Sequence, residues 1–462
     1  MISGFESETL APKGTDLGTL LPYWSALPFV GLLLSLALLP IFAPKFWHRY
    51  YHFVVMFWGL MLAIPLLWLF GQPAMTEISH LILLDYIPFM ILLFSLFTVA
   101  GGIYIKGSFK GTPLTNIFLL IIGTMIASWI GTTGASMLLI RPVIRSNAAR
   151  KTKVHIIVFF IFLVSNIGGS LTPLGDPPLF LGFLRGVPFF WTFNLLPITL
   201  FVSISALVIF FLLDMFYYYR DKHHLPHGNQ NVQVAMSLHG GHNFLYLAGI
   251  IAAVLFSGVV DLGEIVIFHT ALKIQNIIRD ILLLFICALS LLTTSKHIRT
   301  ENHFHWGPMK EVAIVFAAIF ITILPVLAML RAGQEGELAC ITTAAREPWH
   351  FFWITGLLSS FLDNAPTYLT FLTTALGNLE NGFPERVAII KLIAEHPLIL
   401  QAISAGAVFM GAFTYIGNAP NFMVRAIAEE NGIKMPSFFG YMGYSFLFLV
   451  PIFIVATLIF FR

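Results

Sequence analysis

The sequence predicts an all-α integral membrane protein, because its composition is strongly apolar and its uncharged segments are long. Of 462 residues, 58% are hydrophobic and 10% are charged, and the mean hydropathy is +0.87. A soluble domain usually carries roughly 25% charged residues. So few polar side chains cannot cover a surface that faces water, and most of the surface is expected to face lipid.

Uncharged segments of the length that a membrane helix needs, about 20 residues, recur along the chain. The first is expected to start membrane insertion, because the N-terminal residues include Glu6, Glu8 and Asp16 and lack the basic start of a cleavable signal peptide. Together the segments predict about ten spanning helices. The long segments cover residues 17–44, 53–76, 86–105, 111–140, 186–213, 312–330, 398–424 and 435–461.

Basic loops orient these segments through the positive-inside rule. Segment 111–140 has basic residues on both flanks, so it would begin and end in the cytoplasm. It is too short for two crossings at about 1.5 Å per residue, and it is therefore predicted to be a re-entrant hairpin that turns at 131–134. Segment 349–378, interrupted at 362–366, is predicted to be a second hairpin that enters from outside. Both chain termini are predicted on the outer side.

The order of three spans, a hairpin, a broken helix and a final span is predicted to occur twice, in opposite orientations. The broken helices are 154–185 and 398–424. The first repeat would cover 1–213, a cytoplasmic linker 214–243, and the second repeat 244–462. A sequence match supports this plan, since TPLGDPPLF from Thr172 aligns with TYIGNAPNF from Thr414. Inverted repeats with interrupted helices are typical of secondary transporters.

The stretch SNIGGSLTPLGDPPLFLGF, residues 165–183, interrupts a membrane helix with Gly, Pro and an acid. Unwound backbone survives in a membrane only where protein or a water-filled cavity satisfies its hydrogen bonds. An isolated Gly or Pro usually only kinks a packed helix, but two matched breaks, each with a polar hairpin tip, favour a substrate site. An acid at this depth is costly to ionise. Protons and Na+ would therefore compete for Asp176 in the first break and Asp363 at the second tip.

Oxygen-bearing side chains of the breaks and tips are the other candidate ligands, since hard cations prefer oxygen. Any single Ser or Thr among them could instead serve helix packing. The predicted Na+ ligands are Asp363, Asp176, Asn364 and Asn166. The other predicted ion- or substrate-binding residues are Thr133, Thr172, Thr414, Asn418, Ser165 and Thr367. Thr132, Ser136 and Asn421 are further candidates.

Other charged residues are interpreted as structural. Asp85 is a possible ligand, but its place near the outer end of its span favours a solvated or structural role. Arg141 and Arg145 could clamp an anion, but their place in a basic run favours a role in orientation. Arg185 and Arg425 are expected to snorkel to an interface. The histidines of the linker and those at 303 and 305 favour a solvated loop over a metal site, because no Cys or carboxylate framework accompanies them.

Several function classes find no support. The chain lacks a basic tract for nucleic acid, a nucleotide-binding P-loop, and the HEXXH and GxSxG motifs of common hydrolases. It is therefore not expected to be an enzyme or to use a cofactor.

Four stretches, 131–136, 165–178, 363–367 and 414–421, resemble the ion transporter superfamily. That superfamily includes NhaD-type sodium/proton antiporters, divalent anion/sodium symporters, citrate transporters and arsenite-efflux proteins. The resemblance implies two re-entrant hairpins, a site between them at the membrane midplane, elevator-like movement of a transport domain, and commonly a homodimer.

The acids favour one branch of that superfamily. Dicarboxylate symporters typically have a neutral residue where Asp176 stands, and two extra negative charges would repel a dianion. The Gly-Asp at 175–176 and the Asp-Asn at 363–364 resemble the NhaD type more closely. The expected function is thus a Na+ (or Li+)/H+ antiporter of the bacterial cytoplasmic (inner) membrane, with Na+ and H+ as transported ions. The alternative is a Na+-coupled citrate or dicarboxylate symporter that binds a carboxylate anion.

Overall fold

The protein is built from long apolar helices. The computed structural model describes residues 17–107, 109–222, 237–268, 270–302, 304–339, 345–379 and 385–462. In these ranges nine helices are long and apolar enough to cross a membrane, or ten if the bent pair Glu385–Glu395 and Pro397–Phe413 is counted as one span. The prediction of an all-α integral membrane protein is confirmed.

The first half contains ten α-helices among its described residues, and their division into three spans, a hairpin, a broken helix and a final span stays a prediction. Its helices are α1 (Leu17–Leu20), α2 (Leu27–Phe42), α3 (Pro44–Phe70), α4 (Gln72–Leu81), α5 (Ile87–Ala100), α6 (Pro113–Ile130), α7 (Thr132–Ser146), α8 (Val154–Leu163), α9 (Pro177–Arg185) and α10 (Leu196–Lys222). A π-helical turn, Ile82–Tyr86, joins α4 to α5, so the third span covers Gln72–Ala100.

The second half contains ten further α-helices among its described residues, and that it repeats the order of the first half stays a prediction. Its helices are α11 (Asn243–Val259), α12 (Ile274–Thr293), α13 (Lys296–Glu301), α14 (Gly307–Arg331), α15 (Pro348–Phe361), α16 (Asn364–Gly377), α17 (Glu385–Glu395), α18 (Pro397–Met410), α19 (Ala419–Glu430) and α20 (Phe438–Phe460). That the two halves have opposite orientations in the membrane stays a prediction.

Two short antiparallel pairs of strands connect the helices. Strand β1 (Tyr104–Lys106) pairs with β2 (Ser237–His239), with Tyr104 opposite His239. Strand β3 (Glu264–Ile267) pairs with β4 (Thr270–Lys273). The first pair brings the chain between the two halves back to the end of the third span.

Both predicted hairpins are pairs of packed helices. Helices α6 and α7 contact each other on either side of Gly131, whose φ of +80° suits glycine. Helices α15 and α16 contact each other on either side of 362–363. Helix α7 continues to Ser146, past the predicted end at 140. The depth to which either hairpin enters the membrane stays a prediction.

The predicted linker begins too early. Helix α10 continues to Lys222, and Asp214 within it is fully buried. Its carboxylate pairs with Arg150 at 2.5 Å and contacts His155 Nε2 at 2.8 Å. In the sequence, the charge of Asp214 favoured a segment that faces water. In the structure, Arg150, which is distant in sequence, compensates that charge.

Some of the residues singled out in the sequence lie outside the described ranges. Among the described residues, no group of three or more His, Cys, Asp and Glu side chains could hold a metal ion. The residues outside are Glu6, Glu8, Asp16, His223, His224, His227 and His303.

Arg185 does not snorkel to an interface, contrary to expectation. Its side chain is 5% exposed and pairs with Asp85 at 2.7 Å and with Glu385 at 2.6 Å. This ion cluster, in which Arg185 and Asp85 are buried and Glu385 is half-buried, joins the end of α9 to the π-helical turn and to α17. Asp85 is therefore a structural residue.

We expect Arg185→Gln to destabilise the protein, because it leaves the buried carboxylate of Asp85 without its cation, whereas Glu385 keeps Arg331 at 3.8 Å. Breaking a buried ion pair from one side costs about 3–5 kcal/mol. Thermal unfolding in detergent would measure the loss. The matched control is Arg425→Gln, since Arg425 pairs with Glu429 on the same helix and both side chains are partly exposed. Equal unfolding temperatures for the two variants would contradict the structural role of the cluster.

Candidate functional site

Each half contains one helix that stops and restarts within the molecule. Helix α8 ends at Leu163, a 3₁₀ turn covers Ile167–Leu171, and α9 starts at Pro177. In the second half α18 ends at Met410, and α19 starts at Ala419 after a turn over Gly411–Phe413. Proline in the first turn of α9 and α19 suits a helix start, because those N–H groups have no helical partner.

Asp176 and Asn418 hold equivalent positions in the two breaks. Each is the extended residue directly before the restarted helix, with φ −144° and −155° respectively. The sequence alignment of the two nonamers paired these residues. Their matching backbone places an acid in one half where the other half has an amide.

Serine and threonine side chains tie each break to its own hairpin in the same way. Ser128 Oγ donates to Gly168 O at 2.5 Å, and Ser360 Oγ donates to Met410 O at 3.0 Å. In return, the hydroxyl of Thr172 donates to Ser128 O, and that of Thr414 to Ser360 O. Both threonine hydroxyls were candidate ligands, and both are engaged with backbone.

Asp176 lies at the centre of the polar cluster, with 2% of its surface exposed. Its Oδ1 accepts hydrogen bonds from Thr132 Oγ1 at 2.9 Å and Asn418 Nδ2 at 3.0 Å. Its Oδ2 accepts a hydrogen bond from Asn364 Nδ2. The donors come from the first hairpin, the second break and the second hairpin. One carboxylate thus joins both halves of the protein.

Amides extend the cluster behind Asp176. Asn166 Nδ2 donates to Asn421 Oδ1 at 2.7 Å, and Asn166 Oδ1 accepts from Asn418 at 3.2 Å. Ser165 contributes its carbonyl oxygen, which accepts from Asn418 at 3.2 Å, while its hydroxyl lies 2.8 Å from that of Ser136. Asn166, Asn418 and Ser165 were predicted to share a site, and the structure brings them together.

Three predicted ligands lie outside this network. Asp363 is half-buried, and its carboxylate accepts the N–H of Ala365 at 3.1 Å, which caps α16. Thr367 Oγ1 donates to Asp363 O at 3.0 Å, a bond within the helix. Thr133 is half-buried, and within the described residues its hydroxyl makes no hydrogen bond. Its neighbour Thr132 is the residue that reaches Asp176.

The N-termini of four helices meet at this cluster. Helices α7 and α16 start at Thr132 and Asn364, and α9 and α19 follow Asp176 and Asn418 directly. Helix N-termini attract anions, because their N–H groups are unpaired and carry partial positive charge. The arrangement therefore provides positive potential without cationic side chains. Within the described residues, every side chain that hydrogen-bonds to Asp176 is neutral.

One acceptor in the cluster is unused by the part of the chain that the structure describes. Asn364 Oδ1 is buried and has no hydrogen-bond partner there, although Nδ2 of the same amide donates to Asp176. A buried unpaired carbonyl oxygen is costly, and a hard cation would satisfy it. Carboxylate, amide and carbonyl oxygens of this kind fit Na+.

Long apolar helices, two interrupted helices and a closed polar cluster between them are the features of a membrane transporter. A family model described as "Putative citrate transport" matches residues 18–461, and the chain belongs to this family. No curated protein matches the sequence. The family description fits the citrate alternative better than sodium/proton antiport.

Proposed function

We propose that the protein is a cation-coupled citrate transporter. The coupling cation, Na+ or H+, binds at Asp176 and Asn364, and the citrate carboxylates bind at the helix N-termini beside them. The observation that supports this most is the meeting of four helix N-termini, from both halves, at one buried carboxylate. The family match to citrate transport supports the same substrate.

The charges explain why citrate would need a cation. Each helix N-terminus contributes about half a positive charge, or about +2 for the four together. Asp176 and Asp363 contribute two negative charges when both are ionised. The cluster is then close to neutral, so it attracts a trianion only weakly. A bound cation or proton at either acid leaves net positive potential, and citrate binding therefore depends on prior cation binding.

The proposed cation ligands are the oxygens grouped around Asp176. Asp176 supplies a carboxylate, and Asn364 supplies its unpaired carbonyl oxygen. Asp363 precedes Asn364 and is half-buried, which makes it the ligand of a second cation or the carrier of a proton. Asn166 is then a supporting residue, because both ends of its amide already bond other amides.

Transport requires this cluster to open. Asn364 and Asn166 are fully buried, and Asp176 nearly so. Helix α7 contacts α19, and α16 contacts α9, so one pair of helices from different halves borders the cluster on each side. We propose that it opens alternately past these two pairs. A homodimer in the bacterial cytoplasmic membrane, with elevator-like movement and both termini outside, is part of the proposal.

Na+ (or Li+)/H+ antiport is the second candidate. It is favoured by the neutral surroundings of Asp176, because a carboxylate without a fixed cation can exchange a proton for Na+. Under this alternative no organic anion would be needed.

Transport assays in proteoliposomes separate the two candidates. We expect labelled citrate to accumulate when Na+ or H+ is supplied as an inward gradient, and not when both gradients are absent. Protein-free liposomes and liposomes with Asp176→Asn are the controls. A change of internal pH driven by Na+ or Li+ without citrate, together with no citrate uptake, would refute the symport proposal and support antiport.

A further inference from the structure

Helices α7 and α19 run side by side away from the cluster. Thr132 at the start of α7 and Asn418 just before α19 both donate to the same oxygen of Asp176. Five residues further along each helix, Met137 and Met423 pack in one apolar cluster. The two helices are therefore parallel and border the cluster on one side. The distribution of Lys and Arg predicts that this side is cytoplasmic.

Arg141 lies on α7, nine residues after Thr132. It follows Thr133 and Met137 at four-residue intervals, so the three share one face of α7. Its Nη1 atom is buried and has no hydrogen-bond partner, and the guanidinium forms no hydrogen bond or ion pair with any described residue. Glu430 at the end of α19 attracts it electrostatically without forming an ion pair. Arg141 therefore offers donors that no described residue uses.

Other arginines near the broken helices are engaged. Arg145, one turn further along α7, donates to Ile105 O at 2.6 Å and Gly107 O at 3.3 Å. Arg425 pairs with Glu429 at 2.9 Å. Arg185, at the end of α9, is held by two carboxylates. Arg141 and Arg145 differ most clearly, because both lie on α7. Arg145 already places a positive charge in the last turn, where it complements the helix dipole.

We propose that Arg141 is a carboxylate-binding residue between the polar cluster and the predicted cytoplasmic side. It would form a second binding site for the organic anion. It lies about 12 Å beyond Thr133 along α7, from the 1.5 Å rise per residue. The planar fork of a guanidinium matches a carboxylate with two parallel hydrogen bonds. A di- or tricarboxylate such as citrate would bind the Arg141 guanidinium after it leaves the helix N-termini. The inference rests on the proposed citrate transport.

The test compares Arg141→Gln with Arg425→Gln, which removes the same charge from the neighbouring helix. Citrate transport is measured from each side in proteoliposomes of known orientation. Loss of a charged hydrogen bond predicts a rise of about tenfold or more in the citrate half-saturation concentration from the cytoplasmic side. The maximal rate, the cation half-saturation and the value from the other side should stay unchanged. Arg425→Gln should match the wild type, and Arg141→Lys should be intermediate.

Two outcomes would overturn the inference. One is an unchanged citrate half-saturation in Arg141→Gln, or in Arg141→Lys if the glutamine variant does not fold. The other is an equal rise in the citrate and cation values, which a general structural defect would produce. A wild-type protein that takes up no citrate would instead refute the proposed function, so the two failures are distinguishable.

Discussion

Asp176→Asn is expected to abolish citrate uptake while the protein stays folded. The substitution removes the one carboxylate on which both hairpins and the second break converge, and it places an amide N–H₂ among groups that already donate. Loss of a charged partner costs up to about 3 kcal/mol, so uptake should fall by about a hundredfold. Initial rates of cation-driven uptake in proteoliposomes would measure the effect.

Folding of this variant is checked separately. It should still unfold cooperatively in detergent, at a temperature close to that of the wild type, because removal of a buried charge offsets the loss of the hydrogen bonds that Asp176 accepts. Asp363→Asn is the matched comparison, since asparagine keeps the helix cap that Asp363 provides. If both acids take part, it too should impair transport without unfolding the protein. Wild-type uptake by Asp176→Asn would remove this residue from the mechanism.

Gly175→Ala is expected to have the second large effect, on folding as well as on transport. A Cβ at this position would overlap the carbonyl oxygen and carbon of Gly169, which belong to the backbone of the same break. Overpacking ordinarily costs about 1–3 kcal/mol, and backbone atoms cannot rotate away as a side chain can. Asp176 follows directly, so any shift also displaces the carboxylate. Thermal unfolding and citrate uptake would both be measured.

Gly443→Ala is the control for this substitution. Gly443 lies in α20, and a Cβ there would meet no atom within 4 Å. Alanine is the better helix former by about 1 kcal/mol, so this variant should be at least as stable as the wild type and fully active. If Gly175→Ala behaved like Gly443→Ala, the close approach of Gly175 to the backbone of Gly169 would not matter for function.

The charge at the polar cluster comes from helix N-termini as well as from side chains. In the sequence, Asp176 and Asp363 are two negative charges that would repel a dianion, and they therefore favour cation exchange. The four helix N-termini offset about that much charge, but they become a group only when the hairpins and breaks meet. The local sequence does not predict that the four N-termini come together. A cluster that binds an anion is consistent with the family match, described as "Putative citrate transport", over residues 18–461.

The sequence by itself determined the class of fold and the places where the two interrupted helices break. Hydropathy, glycine and proline act over a few residues, and for that reason the breaks after Leu163 and Met410 and the equivalence of Asp176 with Asn418 could be predicted. Only the tertiary structure decided which oxygens share the site. Thr132 rather than Thr133 reaches Asp176, because helical rotation directs neighbouring side chains about 100° apart, and Arg185 is buried, because its carboxylates come from distant segments.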